Sequence, residues 1–293
     1  MLTIEMPTVI KTDKNSILFL IRLFKYIESN NSKDVLLDFK NTRFFAGELF
    51  CIYHWNIQRL INCGFKIVGI NINEEIDAAT HLSDNHINDD NVPNHKTSIL
   101  FRNFEDNLNN GDFDCFDRYM KTEFLPKFIQ NKNVSNVIVT YLSELFVNSR
   151  THGNTNDIVC GGQIYNTIDK FRFSIVDFGV TIPYNIENYV IGGKQNYFHE
   201  NDGAAIKWAT KEGTSTKKSL GGLGLNSIRE FIDDYDGKIL IISRCGTYEY
   251  SKSGDKIFNT DVCFNGTFIF VELDLNKLKK ISKPSLRREV FNI

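Results

Sequence analysis

The chain reads as an α/β protein of two units, a small one over residues 1–95 and a larger one over residues 131–276. A connecting stretch (96–130) joins them, and a basic tail (277–293) follows. Three observations predict this. Short apolar runs of strand type alternate with helix-length amphipathic stretches. A polar, His/Asn/Asp-rich segment with Pro93, Asp77 to Lys96, separates the first such series from the second. A helix-sized run, Val134 to Gly153, carries polar groups into its own apolar stripe.

In the first unit Leu2–Ile10 is a strand candidate. Asn15 or Ser16 can cap a helix through Leu18, Ile21, Phe24 and Ile27. Asp34–Phe39 is a short apolar run that suits a buried strand. Gly47 to Cys63 has helical periodicity, and Gly64 is its stop. Lys66–Ile72 is the next strand. After the polar segment and a second break at Asn107–Gly111, Phe113–Phe128 reads as a bridging helix.

The second unit opens with the Val134–Gly153 helix. Strands are expected at Gln163–Asn166 and Phe171–Asp177, with a turn at Asp169 between them. Thr181 to Ser219 reads as a long loop holding Pro183, Gly192, Gly193, Gly203 and Gly213, with a short helix at Gly203–Thr210. Loops of that length in a compact unit are usually functional. A helix at Leu225–Asp234 and strands at Lys238–Ser243 and Thr267–Leu275 complete the unit.

Charge and cysteine content exclude several classes. Lys plus Arg is 34 against 36 for Asp plus Glu, so there is no general field to draw nucleic acid or an anionic membrane. The apolar runs are too short for a membrane span or a signal-peptide core. The 6 cysteines, at 51, 63, 115, 160, 245 and 263, have no CxxC and no zinc spacing, and read as reduced, core-filling cytosolic thiols. A cytoplasmic protein is expected.

The candidate chemistry begins on the Val134–Gly153 helix. Val134, Val137, Ile138, Tyr141, Leu142, Leu145 and Phe146 form one apolar stripe. Glu144, Asn148 and His152 follow at steps of four, and each step rotates ~40° into that stripe. Burying such groups unpartnered costs ~2–7 kcal/mol for a neutral group, so a polar partner is expected there. A carboxylate and an amide oxygen one turn apart suit a hydrated divalent cation and an attacked phosphate.

Asp177 ends the apolar face made by Phe171, Phe173 and Ile175. A carboxylate at that strand-to-loop junction can accept a hydrogen bond from an exocyclic amine such as that of adenine, and Gly179 lets the chain turn away. Thr267 shares a face with Ile269, Val271 and Leu273, so its hydroxyl points into the same kind of core layer. Gly221, Gly222 and Gly224 open the Leu225–Asp234 helix, just after Thr214, Ser215, Thr216, Lys217 and Lys218. Free amides, hydroxyls and ammonium groups together suit a polyphosphate.

The order of these parts resembles the GHKL ATP-binding family of gyrase B, histidine kinases, the large chaperone ATPases and MutL. ELFVNSRTHG is similar to its N box, VDFGVTIP to its first glycine box and GGLGLNSI to its second. The resemblance covers roughly residues 131–275, and AIKWATKEGTSTK before GGLGL is nearest to histidine-kinase-like and anti-sigma-kinase-like members. It implies a Bergerat-type α/β sandwich with an ATP lid. ATP and Mg²⁺ would be the ligands: Asn148 would hold Mg²⁺, Asp177 would read the adenine amine, and Thr267 would support it through water. Glu144 would polarise the attacking water or hydroxyl. Arg150 or His152 would substitute for the family's basic residue at the phosphates, and the glycines at 221, 222 and 224 would line them. The family's usual basic residue three places after the Asn is here Thr151.

The first unit resembles a STAS domain in its strand, loop, helix, strand pattern from Asp34 to Ile70. The loop in which regulated members carry a phosphorylatable serine reads Phe44-Phe45-Ala46-Gly47-Glu48, without Ser or Thr. The partners implied are a protein engaged through this unit and, as an alternative assembly, a second copy of the chain. Membrane and nucleic acid are not expected partners. The function implied is regulatory, with ATP binding and hydrolysis switching conformation; a serine/threonine kinase of anti-sigma type and a non-catalytic ATP-dependent scaffold are the alternatives. No phosphoacceptor-type helix precedes the second unit. Asp177-Phe178-Gly179 spells the protein-kinase DFG, but no Gly-rich loop, VAIK-like lysine or HRD comes before it, and no P-loop motif is present.

Overall fold

The structure is a computed structural model and describes residues 1–74, 76–77, 97–105, 107, 114–128, 132–191, 201–211 and 224–279. It is mixed α/β. Among the described residues, no helix is long and apolar enough to cross a membrane.

The first unit is built from two parallel βαβ crossovers. β1 (Leu2–Glu5), β3 (Asp34–Asp38) and β5 (Lys66–Ile70) form a parallel sheet in the order β1-β3-β5. Helix α1 (Lys14–Ser29) joins β1 to β3, and α2 (Phe50–Asn62), entered through a short 3-10 turn at Gly47–Leu49, joins β3 to β5. The expected strand Leu2–Ile10 is two strands. Pro7 has no N–H to continue the ladder, and beyond it β2 (Val9–Ile10) pairs instead with β4 (Phe44–Phe45). The cap of α1 is Asp13, two to three residues before the expected Asn15 or Ser16, and its carboxylate accepts from Ser16 N at 2.8 Å. Gly64, at φ 84°, ends α2 as expected. The last strand stops at Ile70 because Asn71 turns the chain with φ 56° and donates to Asp38 Oδ1 at 2.9 Å.

The larger sheet is antiparallel, five-stranded and ordered β6-β7-β8-β10-β9. Its strands are β6 (Ser98–Asn103), β7 (Ile158–Tyr165), β8 (Lys170–Asp177), β9 (Lys238–Ser251) and β10 (Gly254–Asp274). β6 falls in the stretch read as connecting and is an edge strand of this sheet. The segment read as one bridging helix is α3 (Cys115–Tyr119), a π turn over Met120–Phe124 and a 3-10 turn over Leu125–Phe128; Pro126, with no N–H, rules out a continuous α-helix there. The long helix α4 (Lys132–Gly153) follows as expected.

The span read as a long loop, Thr181 to Ser219, contains two helices. α5 (Ile182–Ile191) carries Pro183 in its first turn, where a missing N–H costs nothing. α6 (Asp202–Ala209) lies at the expected short helix. α7 (Gly224–Asp234) precedes β9, and α8 (Leu275–Lys279) follows β10. Most of the polar segment 77–96, the 107–111 break and the tail from 280 lie outside the described residues.

The two units share a core. One face of the large sheet, with Phe171, Phe173, Ile175, Ile239, Ile241, Ile269 and Val271, packs on α3, α4 and α7. The opposite face, with Val159, Val176, Leu240, Ile242, Phe268 and Phe270, packs on α1 and α2 of the first unit. These helices therefore lie between the two sheets, giving layers in the order small sheet, helices, large sheet, helices. This is why α1 buries Ile17, Leu18, Leu20, Ile21, Leu23, Phe24 and Ile27, a wider apolar surface than one stripe. A buried polar joint pins the same contact: Glu48 accepts from Thr12 Oγ1 and Tyr165 Oη and sits 3.5 Å from Arg172 Nη1. Desolvation pushes the Glu48 carboxyl up despite these partners.

One expectation about cysteine is corrected. Cys245 and Cys263 form a disulfide between β9 and β10, while Cys51, Cys63, Cys115 and Cys160 are free, and Cys63 is exposed. The two half-cystines are far apart in sequence and face each other only because β9 and β10 pair with a bulge between them.

Candidate functional site

The C-terminal half of α4 crosses one end of the large sheet. Val137, Ile138, Leu142, Leu145 and Phe146 are buried on the sheet side, as their spacing predicts. The side chain of Val134 lies outside the described residues. Glu144, Asn148 and His152 lie at the edge of this stripe and are half-buried. Asn148 Nδ2 and Ser149 Oγ are buried without a hydrogen bond of good geometry. The carbonyl of His152 accepts from Asn185 Nδ2 at 2.7 Å, which ties α4 to α5.

Asp177 faces this helix end. Thr267 lies directly opposite it in the β8–β10 ladder, and Ser243 lies opposite Thr267 in the β10–β9 ladder. Residues paired across neighbouring strands share a face, so Asp177, Thr267 and Ser243 form one polar rung at the end of an apolar face. Ser243 Oγ and Thr267 Oγ1 are 3.0 Å apart.

Asp177 is 2% exposed. Its Oδ1 accepts from Gly179 N at 3.2 Å. Desolvation pushes its carboxyl up to about 7, against smaller opposing effects from the Gly179 amide, the Ser149 hydroxyl and the Thr267 amide; Asp157 raises it a little further. The Ser149 hydroxyl acts here as a nearby dipole rather than through a well-aligned hydrogen bond.

Two glycines make the packing possible. A Cβ on Gly179 would stand 2.1 Å from the Gly153 carbonyl oxygen, so the strand-to-loop turn can close on the end of α4 only without a side chain. Gly266 has φ 142°, and a Cβ there would meet the Asp177 carbonyl oxygen at 2.0 Å. The turn that Gly179 allows is thus made against Gly153.

The first unit reaches the same place. Trp55 on α2 stacks on Phe178, the neighbour of Asp177, and its Nε1 donates to Asp157 Oδ1 at 2.6 Å. Burial holds the Asp157 carboxyl up at about 6, and the Trp55 bond opposes this. On the other side, Arg244 clamps the two helices of the 181–219 span to β9. It donates to Glu187 of α5 at 2.8 and 2.6 Å and to Asp202 of α6 at 2.9 Å.

The structure brings Asp177 together with Gly179, Thr267, Ser149 and the end of α4 at Gly153, while Glu144, Asn148 and His152 lie along α4 at the edge of its buried stripe. Gly224 opens α7, as expected of a glycine at a helix start. Thr214, Ser215, Lys217, Gly221 and Gly222 lie outside the described residues. Sequence reasoning missed Ser149, Ser243, Asp157 and Trp55. Ser243 had a legible signal: it ends the apolar face of Ile239 and Ile241, as Asp177 and Thr267 end theirs. Trp55 had none, because its contact crosses between units. Among the described residues, no group of three His, Cys, Asp or Glu could hold a metal. His54 on α2 packs against Phe50 and Phe101, and burial pushes its imidazole down to about 3, so it stays neutral.

Comparison of the chain with protein-family models finds no match, and comparison with curated proteins finds no significant match.

Proposed function

We propose that the chain is a Mg-ATP-binding regulatory protein in which residues 131–276 act as a GHKL-type ATPase unit and residues 1–95 as a STAS-like unit. The observation that carries this reading is the buried polar rung. Asp177 is a desolvated carboxyl with few donors and the Ser149 hydroxyl beside it, and the amide nitrogen of Asn148 on the same helix is buried without a hydrogen bond. Such groups each cost free energy unless a ligand or water completes them. An exocyclic amine completes Asp177, and Thr267 stands beside it for the adjoining ring nitrogen.

The residues fit magnesium in its usual nucleotide-bound form. Mg²⁺ keeps several waters and takes few protein oxygens along with substrate phosphates, so the Asn148 side-chain oxygen suffices and a carboxylate cluster is not needed. When bound, the ion supplies charge neutralisation to the phosphates. Glu144, one turn before Asn148, would take the proton of an attacking water or hydroxyl. The Bergerat-type sandwich, with a sheet covered on one face by α4 and α7, agrees with the arrangement of these elements. The regulatory part rests on the Trp55 contact, which joins the STAS-like unit to the residue after Asp177. A protein partner engaged through that unit has its outer sheet available, with Val68 of β5 52% exposed.

Calorimetric titration of the chain with ATP, with and without Mg²⁺, tests the reading. Saturable, Mg²⁺-enhanced binding that weakens in Asp177→Asn is expected. No binding of any adenine nucleotide would overturn it.

A further inference from the structure

Cys245 of β9 and Cys263 of β10 are joined by a disulfide, and both residues are only half-buried. They meet where the β9–β10 ladder is interrupted. Gly246 pairs with Asn259 and Arg244 with Phe264, so residues 260–263 stand opposite the single residue Cys245. On either side the ladder is complete without the bond: residues 246–251 pair with 254–259, and 238–243 with 267–272. Opening the disulfide therefore frees the bulge and leaves the hairpin paired.

Two docking contacts end on this bulge. The Cys245 amide donates to Asp202 Oδ2 at 2.9 Å, and Arg244, one residue before, clamps Glu187 and Asp202. A Cβ on Gly246 would stand 2.4 Å from the Asp202 carbonyl carbon, and one on Gly203 would stand 2.9 Å from the Phe258 carbonyl oxygen. Gly203 N donates to Asn259 Oδ1 at 3.0 Å. The first turn of α6 thus rests on both strands beside the disulfide. Helix α1 meets the same stretch of β10. Lys25 Nζ donates to the Cys263 carbonyl at 2.6 Å, Arg22 pairs with Asp261 at 2.6 Å, and the Lys14 ammonium stands 4.1 Å from the Phe258 ring centre.

We propose that Cys245–Cys263 is a reversible redox modification site, opened by a protein dithiol and closed again by a disulfide, whose state sets how firmly α6 and α1 are held on the bulge. Thiol–disulfide exchange does this in two steps. One thiolate of the dithiol attacks one protein sulfur, the S–S bond breaks, and the other cysteine leaves as a thiolate that takes up a proton. The second thiolate of the dithiol then attacks the mixed disulfide, which releases the first cysteine and closes the reductant's own disulfide. Two electrons pass from the dithiol to the chain, which ends with two thiols. Four thiols stay free beside the bond, Cys63 among them exposed, a pattern suited to a thiol-reducing compartment, where disulfides are transient and redox-sensing. The site does not rest on the nucleotide reading above.

The test equilibrates the whole chain with reduced or oxidised dithiothreitol, locates alkylated thiols by peptide mass spectrometry and follows hydrogen exchange. In the oxidised chain Cys245 and Cys263 are expected to resist alkylation. Reduced dithiothreitol should open them while circular dichroism shows the chain still folded. Exchange in α6 and at the Cys245 amide should then quicken about tenfold, the scale of one lost hydrogen bond to a charged group, and slow again on reoxidation. The Cys245→Ser/Cys263→Ser chain should show the fast exchange with or without dithiothreitol. Cys63→Ser should respond as the wild type does, which rules out exchange through that thiol. A disulfide that yields only when the chain unfolds overturns the proposal, as does equal α6 exchange in the two redox states, and neither arm needs a variant to fold. Alkylation of both cysteines after oxidation overturns it too.

Discussion

Trp55 of α2 and Phe178, which follows Asp177, stack with ring centroids 3.3 Å apart and planes 7° from parallel. One ring belongs to the first unit and the other to the strand-to-loop turn that positions the rung. The Trp55 N–H is spent on Asp157, whose carbonyl oxygen in turn accepts from Phe178 N at 3.2 Å. The two units therefore meet through a closed set of contacts rather than through a linker alone.

Truncating that ring should matter beyond the first unit. Trp55→Ala removes a stacked aromatic and leaves Asp157 without its indole donor, so a stability loss of about 3 kcal/mol is expected by urea denaturation. Trp55→Phe should recover most of the packing but not the hydrogen bond. Equal stability of Trp55→Ala and wild type would show that the stack holds nothing together.

The ionisation of Asp177 gives a pH signature. Its folded pKa, about 7, lies above the ordinary 3.8. The folded chain then binds protons more tightly than the unfolded chain between these values. Stability should fall as pH rises from about 4 to about 7 and stay lower beyond. Asp177→Asn should flatten that dependence. An amine donor prefers the carboxylate, so ATP affinity should rise about tenfold between about pH 6 and pH 8 in the wild type and stay level in Asp177→Asn. Affinity that falls over that range would remove the assignment of Asp177 as the acceptor.

Binding and chemistry should separate on α4. Glu144→Ala should keep ATP binding and lose turnover, whether to water or to a protein hydroxyl, by ~10²–10⁴-fold. Asn148→Ala should lose the Mg²⁺ enhancement of binding. Radiolabelled γ-phosphate recovered as free phosphate or on a protein distinguishes hydrolysis from transfer. Parent-like turnover in both variants would leave α4 a purely structural helix.

Arg244 offers a test of the docking of α5 and α6. It is partly exposed, with a side-chain exposure of 30%, while Glu187 and Asp202 are more buried, at 15% and 9%. Solvent screening reduces the value of the pairs, so Arg244→Ala should cost about 1–3 kcal/mol. Hydrogen exchange in α5 and α6 should quicken in that variant. Unchanged exchange in both helices would mean that packing alone holds them.

How far the sequence could be read follows from the range of each interaction. Helix α4, α7 and the core strands were legible because their periodicity is local. The rung residues Asp177 and Thr267 were legible because each breaks an otherwise apolar strand face. Helix α5 was obscured by Pro183, a residue that ends helices in their interior but is tolerated in the first turn. The long β9–β10 hairpin was obscured beyond Ser243 because Arg244 adopts φ 53° and the register shifts between Asn259, Phe264 and Thr267, which breaks the two-residue alternation.

The sequence by itself determined the α/β class, the elements that carry the polar rung and the residue types at its centre, since strand and helix periods act over a few residues. Only the tertiary structure decided that α1 and α2 are buried between the two sheets, that Ser243 completes the rung, that Cys245 meets Cys263 and that Trp55 covers Phe178. Each of these is a contact between segments far apart in the chain, chosen by which apolar faces bury each other, and no local pattern encodes that choice.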